Sequence, residues 1–262
     1  MNYRNKYGEW ALILGATEGI GKAFSIGAAE RGMDVVLVGR REEKLKELGE
    51  EISAKYNVKH KVIKADFSEA DSADYVINET KDLDIGLMSF IACLHKMGKL
   101  QDSTIEEDLK ILQVNVITFT KFMQHFSKLF GDRDRGAIIN MSSLTAITSS
   151  PYNSQYGACK AYILKMTEAV AYEFAKTNVD VEVVTAGATL TPSYLKNLPG
   201  GPAGEKARNN AMKPEEVAEI AFENLGKVRS VIAGEVNNQA VRNWHTNMTA
   251  DEVAEYMGKF YE

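Results

Sequence analysis

Residues 10–23 read WALILGATEGIGKA. An apolar run of strand length passes directly into a glycine-rich turn and then into an amphipathic stretch. Glycines at 15, 19 and 21 let the chain turn tightly and bring backbone close to a pyrophosphate. A helix starting there adds free N–H groups and the positive end of its dipole. The competing phosphate loop needs four residues between its glycines and then Lys-Ser or Lys-Thr. Here five residues separate Gly15 from Gly21 and Ala23 follows Lys22, so that motif is excluded. The order G-x-x-x-G-x-G also departs from the strict G-x-G-x-x-G pattern. A tight turn with no ligand is the alternative, and the sequence of strand, loop and helix argues against it.

Outward from this stretch the pattern repeats. Apolar runs at 35–39, 58–65, 83–93, 136–141, 179–186 and 228–234 alternate with helical periodicity at 19–32, 41–56, 69–81, 104–130, 154–177 and 213–226. Continuous rather than alternating apolar runs imply strands covered on both faces. The alternation predicts an α/β fold, a Rossmann-like doubly wound parallel sheet of about seven strands in a single domain. Two segments exceed ordinary connection lengths. Residues 189–212, rich in proline and glycine, read as an irregular lid. A C-terminal extension, about 235–262, carries Thr249 and Glu252 in capping-box spacing, which predicts a helix near 249–260.

The chain has 262 residues, 45% of them hydrophobic and 26% charged, which excludes disorder and coiled coil as its main class. The net charge is −5 and no basic block stands out, so nucleic acid is not an expected partner. The opening MNYRNKYGEW lacks the apolar run of a leader, and no stretch approaches the ~20 apolar residues of a membrane span. Cys93 and Cys159 make no disulfide framework. His60, His95, His125 and His245 show no paired ligand spacing, and His125 reads as structural. The expectation is a cytoplasmic protein with no membrane partner and no metal.

The run at 35–39 ends in Arg40 and Arg41. Folds that bind NAD place a carboxylate about 20 residues past the glycines, on the ribose 2′-hydroxyl. Two guanidiniums there suit a 2′-phosphate, because Arg forks pair with phosphate oxygens. NADP (NADPH) is therefore the expected cofactor. The competing reading is a solvated helix start, since RREEK is a mixed charge run.

Tyr156 and Lys160 lie four apart, on one face of a predicted helix. Tyrosine ionises near pH ~10, and a nearby ammonium lowers that value. A phenol so tuned can give a proton to a carbonyl oxygen or take one from an alcohol. Ser143, at the end of a predicted strand, could hold the same oxygen. A second Tyr-x-x-x-Lys, Tyr172 with Lys176, falls near the helix end with no upstream serine and reads as packing or surface.

With these residues in place, the chain resembles the short-chain dehydrogenase/reductase family over essentially its whole length. Gly15, Gly19 and Gly21 match its glycine spacing, and Ser143, Tyr156 and Lys160 match its catalytic residues. The resemblance also implies that Asn115 supports a proton-relay water, that Asp66 meets the adenine amine, and that Gly187 and Thr191 cradle the nicotinamide end. The expected cofactor set is Gly15, Thr17, Glu18, Gly19, Ile20, Gly21, Arg40, Arg41, Asp66, Phe67, Ala92, Tyr156, Lys160, Gly187, Thr189 and Thr191. Two departures stand out. The family's Asn-Asn-Ala-Gly segment falls at 90–93, where only Ala92 matches, and the proline before Gly187 is Ala186.

Several stretches, among them MDVVLVGRREEKL, ACLHKMGK and SSPYNSQYGACKAYILKMTEAVAYE, resemble more narrowly those family members of anaerobic gut bacteria that act at C7 of bile acids. That implies reversible NADP(H)-dependent hydride transfer between a 7-oxo and a 7β-hydroxy bile acid, as in 7-oxolithocholate to ursodeoxycholate. The alternatives are a reductase acting at another steroid position or on a 3-oxoacyl thioester, and a nucleotide-sensing protein without activity. An intact Ser143, Tyr156, Lys160 and Asn115 set argues against the last. A rigid steroid needs a largely apolar pocket with few polar contacts. Its expected lining is His95, Ser143, Asn153, Tyr156, Leu190, Tyr194, Leu195 and Leu198, with Met212 beside them; ordinary packing under a loop is the competing reading for each. The resemblance also implies a homodimer or homotetramer formed through the 104–130 and 154–177 helices.

Overall fold

Strands β1 (Trp10–Leu14), β2 (Asp34–Gly39), β3 (His60–Lys64), β4 (Ile85–Phe90), β5 (Gly136–Ser143), β6 (Val179–Ala186) and β7 (Ser230–Ile232) are all parallel. They lie in the order β3-β2-β1-β4-β5-β6-β7 in the computed structural model, which describes residues 2–198 and 200–259. The order reverses between β1 and β4, so the crevice for a ligand opens at the carboxyl ends of those strands. β4 is shorter than the 83–93 run. The N–H groups of Ile91 and Ala92 both donate to the Leu14 carbonyl, at 2.9 and 2.7 Å, and the chain leaves the sheet there.

The helices of the first half are α1 (Tyr3–Tyr7), α2 (Gly19–Glu30), α3 (Glu42–Tyr56), α4 (Ser72–Thr80), α5 (Ile105–Leu112) and α6 (Phe119–Arg133). The predicted single helix 104–130 is interrupted by a π-helical turn, Gln113–Thr118, between α5 and α6. Then come α7 (Ser154–Glu173), α8 (Pro192–Lys196), α9 (Gly201–Asn209), α10 (Pro214–Asn224), α11 (Glu235–Asn247) and α12 (Ala250–Gly258). α1 was not foreseen. It closes the amino end of the sheet, where Lys6 and the Tyr7 hydroxyl both donate to Asp180.

Each face of the sheet has its own apolar layer. Phe24, Leu87, Ile139 and Phe222 belong to one, and Phe90, Phe119, Phe122, Phe126 and Phe130 to the other. Burying each such side chain contributes about 1.5–3 kcal/mol. The phenylalanines of α6 recur on one helix face, as the periodicity requires. Tyr172 is 72% exposed beside Arg229, a surface position. Half-buried His125 packs edge-on against Phe126, and burial lowers its pKa.

The segment expected as an irregular lid is helical, since α8 and α9 occupy most of it; its Pro199 lies outside the described residues. Leu190 N–H donates to the Met212 carbonyl and Met212 N–H to the Ala188 carbonyl, at 2.9 and 3.0 Å, so the segment is closed at its base. The C-terminal extension holds two helices, with the expected capping box at Thr249 and Glu252 starting α12; residues 260–262 of the extension lie outside the described residues. Val241, Trp244 and Val253 from these helices pack with Leu144 and Ile147, the loop that follows β5. No helix among the described residues is long and apolar enough to cross a membrane.

Candidate active site

The glycine turn is a bare backbone surface at the start of α2. A Cβ on Gly21 would sit 1.9 Å from the Gly15 carbonyl oxygen, so no side chain fits there. Gly19 has φ +56°, and its missing Cβ would meet Thr191 Cγ2 at 2.8 Å. The fold thus brings Gly15, Gly19, Gly21 and Thr191 to one edge, with Ala92 bonded back to Leu14 beside them. Such a cradle at a helix N-terminus fits the pyrophosphate of a nicotinamide cofactor.

At the end of β2, Arg41 pairs with Glu18 at 2.8 Å and Arg40 approaches Asp66 at 4.0 Å. Asp66 also accepts from the N–H and hydroxyl of Ser68. The Thr17 hydroxyl lies 2.6 Å from where a Gly39 Cβ would stand. Two ion pairs of opposite charge thus stand at this strand end, Arg41 with Glu18 and Arg40 with Asp66. Thr189, buried, donates to the Gly187 carbonyl, and Thr191 caps α8 by accepting from Tyr194 N–H. Ile20 turns partly into the core. The Phe67 ring is buried against Phe90 and Phe122, and its carbonyl accepts from the Thr118 hydroxyl, so its side chain belongs to the core.

β5 delivers two serines that part ways. Ser142 is buried and donates to the Lys160 carbonyl at 2.9 Å. Ser143, half-buried, accepts from Thr145 N–H and is the one at the strand end. Lys160 is 2% exposed; its Nζ donates to the Met141 carbonyl at 2.9 Å and lies 5.5 Å from the Tyr156 ring centroid. Burial lowers the Lys160 pKa, and the nearby thiols of Cys93 and Cys159 oppose that only in part. The i, i+4 spacing on α7 therefore brings ammonium and phenol together as the sequence predicts. Asn115, in the π-helical turn, is fully buried and spends its side chain on protein: Oδ1 accepts from Leu94 N–H at 3.1 Å, and Nδ2 donates to the carbonyls of Leu94 and Ile111.

Of the expected pocket residues, His95 stands in ring contact with Tyr156, with centroids 5.5 Å apart. Asn153, at the start of α7, is 7% exposed and its Oδ1 has no partner among the described residues. Leu190 and Leu198 are half-buried, Tyr194 ties α8 to α9 through the Ala207 carbonyl, and Leu195 is exposed. One residue at the site had no motif to reveal it. Cys93 is an exposed free thiol two positions before His95. Its only signal was the departure of the 90–93 segment from the Asn-Asn-Ala-Gly pattern.

Comparison with known proteins agrees with this geometry. The family model described as short chain dehydrogenase matches residues 9–198. A 7beta-hydroxysteroid dehydrogenase of Mediterraneibacter gnavus is 58% identical over 262 residues, covering all of both chains. One from Collinsella aerofaciens is 57% identical over 261 residues, covering 100% of this chain and 99% of that one. A solved structure, described as giving insight into 7beta-hydroxysteroid dehydrogenase stereoselectivity, superposes with a TM-score of 0.95 at 56% identity, covering 98% of this chain and 100% of that one. With its nucleotide cradle, its Ser143, Tyr156 and Lys160 and this full-length likeness, the chain is an enzyme of the short-chain dehydrogenase/reductase family.

Proposed function

We propose that the chain catalyses reversible, NADP(H)-dependent hydride transfer at C7 of bile acids, between the 7-oxo and the 7β-hydroxy forms. The observation that carries this reading is the end-to-end identity of 58% to 7beta-hydroxysteroid dehydrogenases, joined to an intact Ser143, Tyr156 and Lys160 at one strand end. When bound, the nicotinamide supplies the hydride that reduces the carbonyl carbon. Ser143 and Tyr156 donate hydrogen bonds to the substrate oxygen, and Tyr156 delivers the proton. Lys160, held by the Met141 carbonyl, favours the phenolate and thereby makes Tyr156 a competent acid and base near neutrality. Asn115 takes part through the backbone it organises, since its amide is committed to Leu94 and Ile111.

Preference for NADP rests on Arg40 and Arg41, which stand at the end of β2 where a carboxylate would select NAD. Glu18 and Asp66 hold the two guanidiniums on that edge without a carboxylate pointing from the strand itself. The 189–212 segment covers the cleft, and Leu190, Tyr194 and Leu198 with Asn153 contribute its wall. The exposed apolar row of Ile105, Leu109 and Ile117, with Tyr162 on α7, supports a homodimer or homotetramer through these helices.

The deciding experiment incubates the enzyme with NADPH or NADH and a panel of 3-, 7-, 12- and 17-oxo steroids plus acetoacetyl thioester. Consumption of the 7-oxo acid with NADPH, giving the 7β-alcohol, is the expected result. Turnover confined to another position, or a 7α product, overturns the reading.

A further inference from the structure

The segment that follows β4 is gripped at one point. Asn115 Oδ1 accepts from Leu94 N–H at 3.1 Å, and Nδ2 donates back to the Leu94 carbonyl at 2.6 Å and to the Ile111 carbonyl at 3.0 Å. Fixing both polar groups of one residue fixes the placement of its neighbours, Cys93 and His95. The His95 ring then lies 5.5 Å from the Tyr156 ring, tilted by 56°. That is a separation at which aromatic rings attract. Lys160 Nζ also lies 5.5 Å from the Tyr156 centroid. Lys160 and His95 are therefore both within reach of the Tyr156 ring, and the mechanism above uses the first alone.

The phenol of Tyr156 must meet the substrate oxygen within hydrogen-bond reach, and a misplacement of about 1 Å can cost ~10²-fold in rate. Tyr156 sits in the first turn of α7 and is only half-buried, so its ring depends on neighbours for its direction. We propose that His95 is a positioning residue for Tyr156, itself kept in place through the Asn115 clamp on Leu94. This rests on Tyr156 being the acid–base residue.

The test uses the full chain, NADPH and whichever ketone of the panel turns over, and reads kcat, KM, NADPH binding by fluorescence quenching and thermal midpoint. H95A should lower kcat by about tenfold or more with NADPH binding unchanged. H95F, which keeps a ring beside Tyr156, should recover most of that loss. Native kcat with only a raised KM in H95A makes His95 pocket wall and overturns the proposal. Equal losses of kcat in H95A and H95F overturn it as well, because a ring beside Tyr156 then restores nothing. Full activity in Y156F would instead overturn the acid–base reading, which separates the two failures.

Discussion

Asn115 holds Leu94 by both of its backbone groups, the N–H through Oδ1 at 3.1 Å and the carbonyl through Nδ2 at 2.6 Å. The bond to the Ile111 carbonyl adds a third. Replacing Asn115 by Leu leaves an N–H and two carbonyls without that partner in a buried place, at about 1–3 kcal/mol for each group left unsatisfied. N115L should therefore lower the thermal midpoint by several degrees and depress kcat, with NADPH binding changed little. A native midpoint in this variant would show that the clamp contributes nothing.

Tyr156→Phe removes one hydroxyl and keeps the ring that faces His95. Loss of a general acid of this kind costs 10²–10⁴-fold in rate. NADPH should still quench the intrinsic fluorescence of the variant as it does the native protein. Turnover within a few-fold of native excludes Tyr156 as the proton donor.

The pair at the end of β2 sets a cofactor prediction. Charge-assisted hydrogen bonds are worth about 1.5–3 kcal/mol each. R40A with R41A should raise the KM for NADPH by about a hundredfold or more and leave that for NADH within a few-fold. The ratio of the two kcat/KM values in one buffer checks it, and an equal loss for both cofactors would count against a 2′-phosphate site.

Glu182 gives a pH dependence of stability. It lies on β6 with 0% exposure, and neither carboxyl oxygen has a partner among the described residues. Burial, aided by the neighbouring charge of Asp180, pushes its pKa up to about 9 from an ordinary 4.5. The folded state thus binds a proton that the unfolded state has already lost above pH 4.5. Stability from this group is fully present below about 4.5 and is lost as pH rises towards 9, which amounts to about 3 kcal/mol at pH 7. Glu182→Gln, neutral at every pH, should gain thermal midpoint over the native protein progressively from pH 5 to pH 9. Parallel midpoint curves would show that Glu182 does not carry this proton.

The sheet was legible because buried parallel strands write themselves as continuous apolar runs, and β6 emerges at the bounds 179–186 that its residues suggest. Tyr156 and Lys160 were legible because their i, i+4 spacing puts them on one helix face, and Ser143 because it ends the strand before that helix. α1 was not, since five residues carry no periodicity and its folding depends on burying Tyr3 and Tyr7 against the rest of the chain. The lid helices hid behind proline and glycine: α8 relies on the Thr191 cap and on the Tyr194 bond to Ala207, contacts that composition does not reveal. His95 follows no recurrent pattern; only the three-dimensional meeting of two distant segments gives it a place beside Tyr156.

The π-helical turn at Gln113–Thr118 has a geometric consequence for how this helix pair can vary. One residue more than an α-helical turn requires is absorbed there, and each residue of an α-helix advances it by about 100° and 1.5 Å. The faces of α5 and α6 are therefore set out of phase with each other. Asn115 can look towards Leu94 while Phe119, Phe122 and Phe126 all look into the core. Deleting a single residue between 113 and 118 would let the chain run through as regular α-helix, keeping the phenylalanines of α6 on the core and giving up the widened turn from which Asn115 reaches Leu94. The extra residue thus serves the Asn115 clamp and leaves the packing end of the helix untouched.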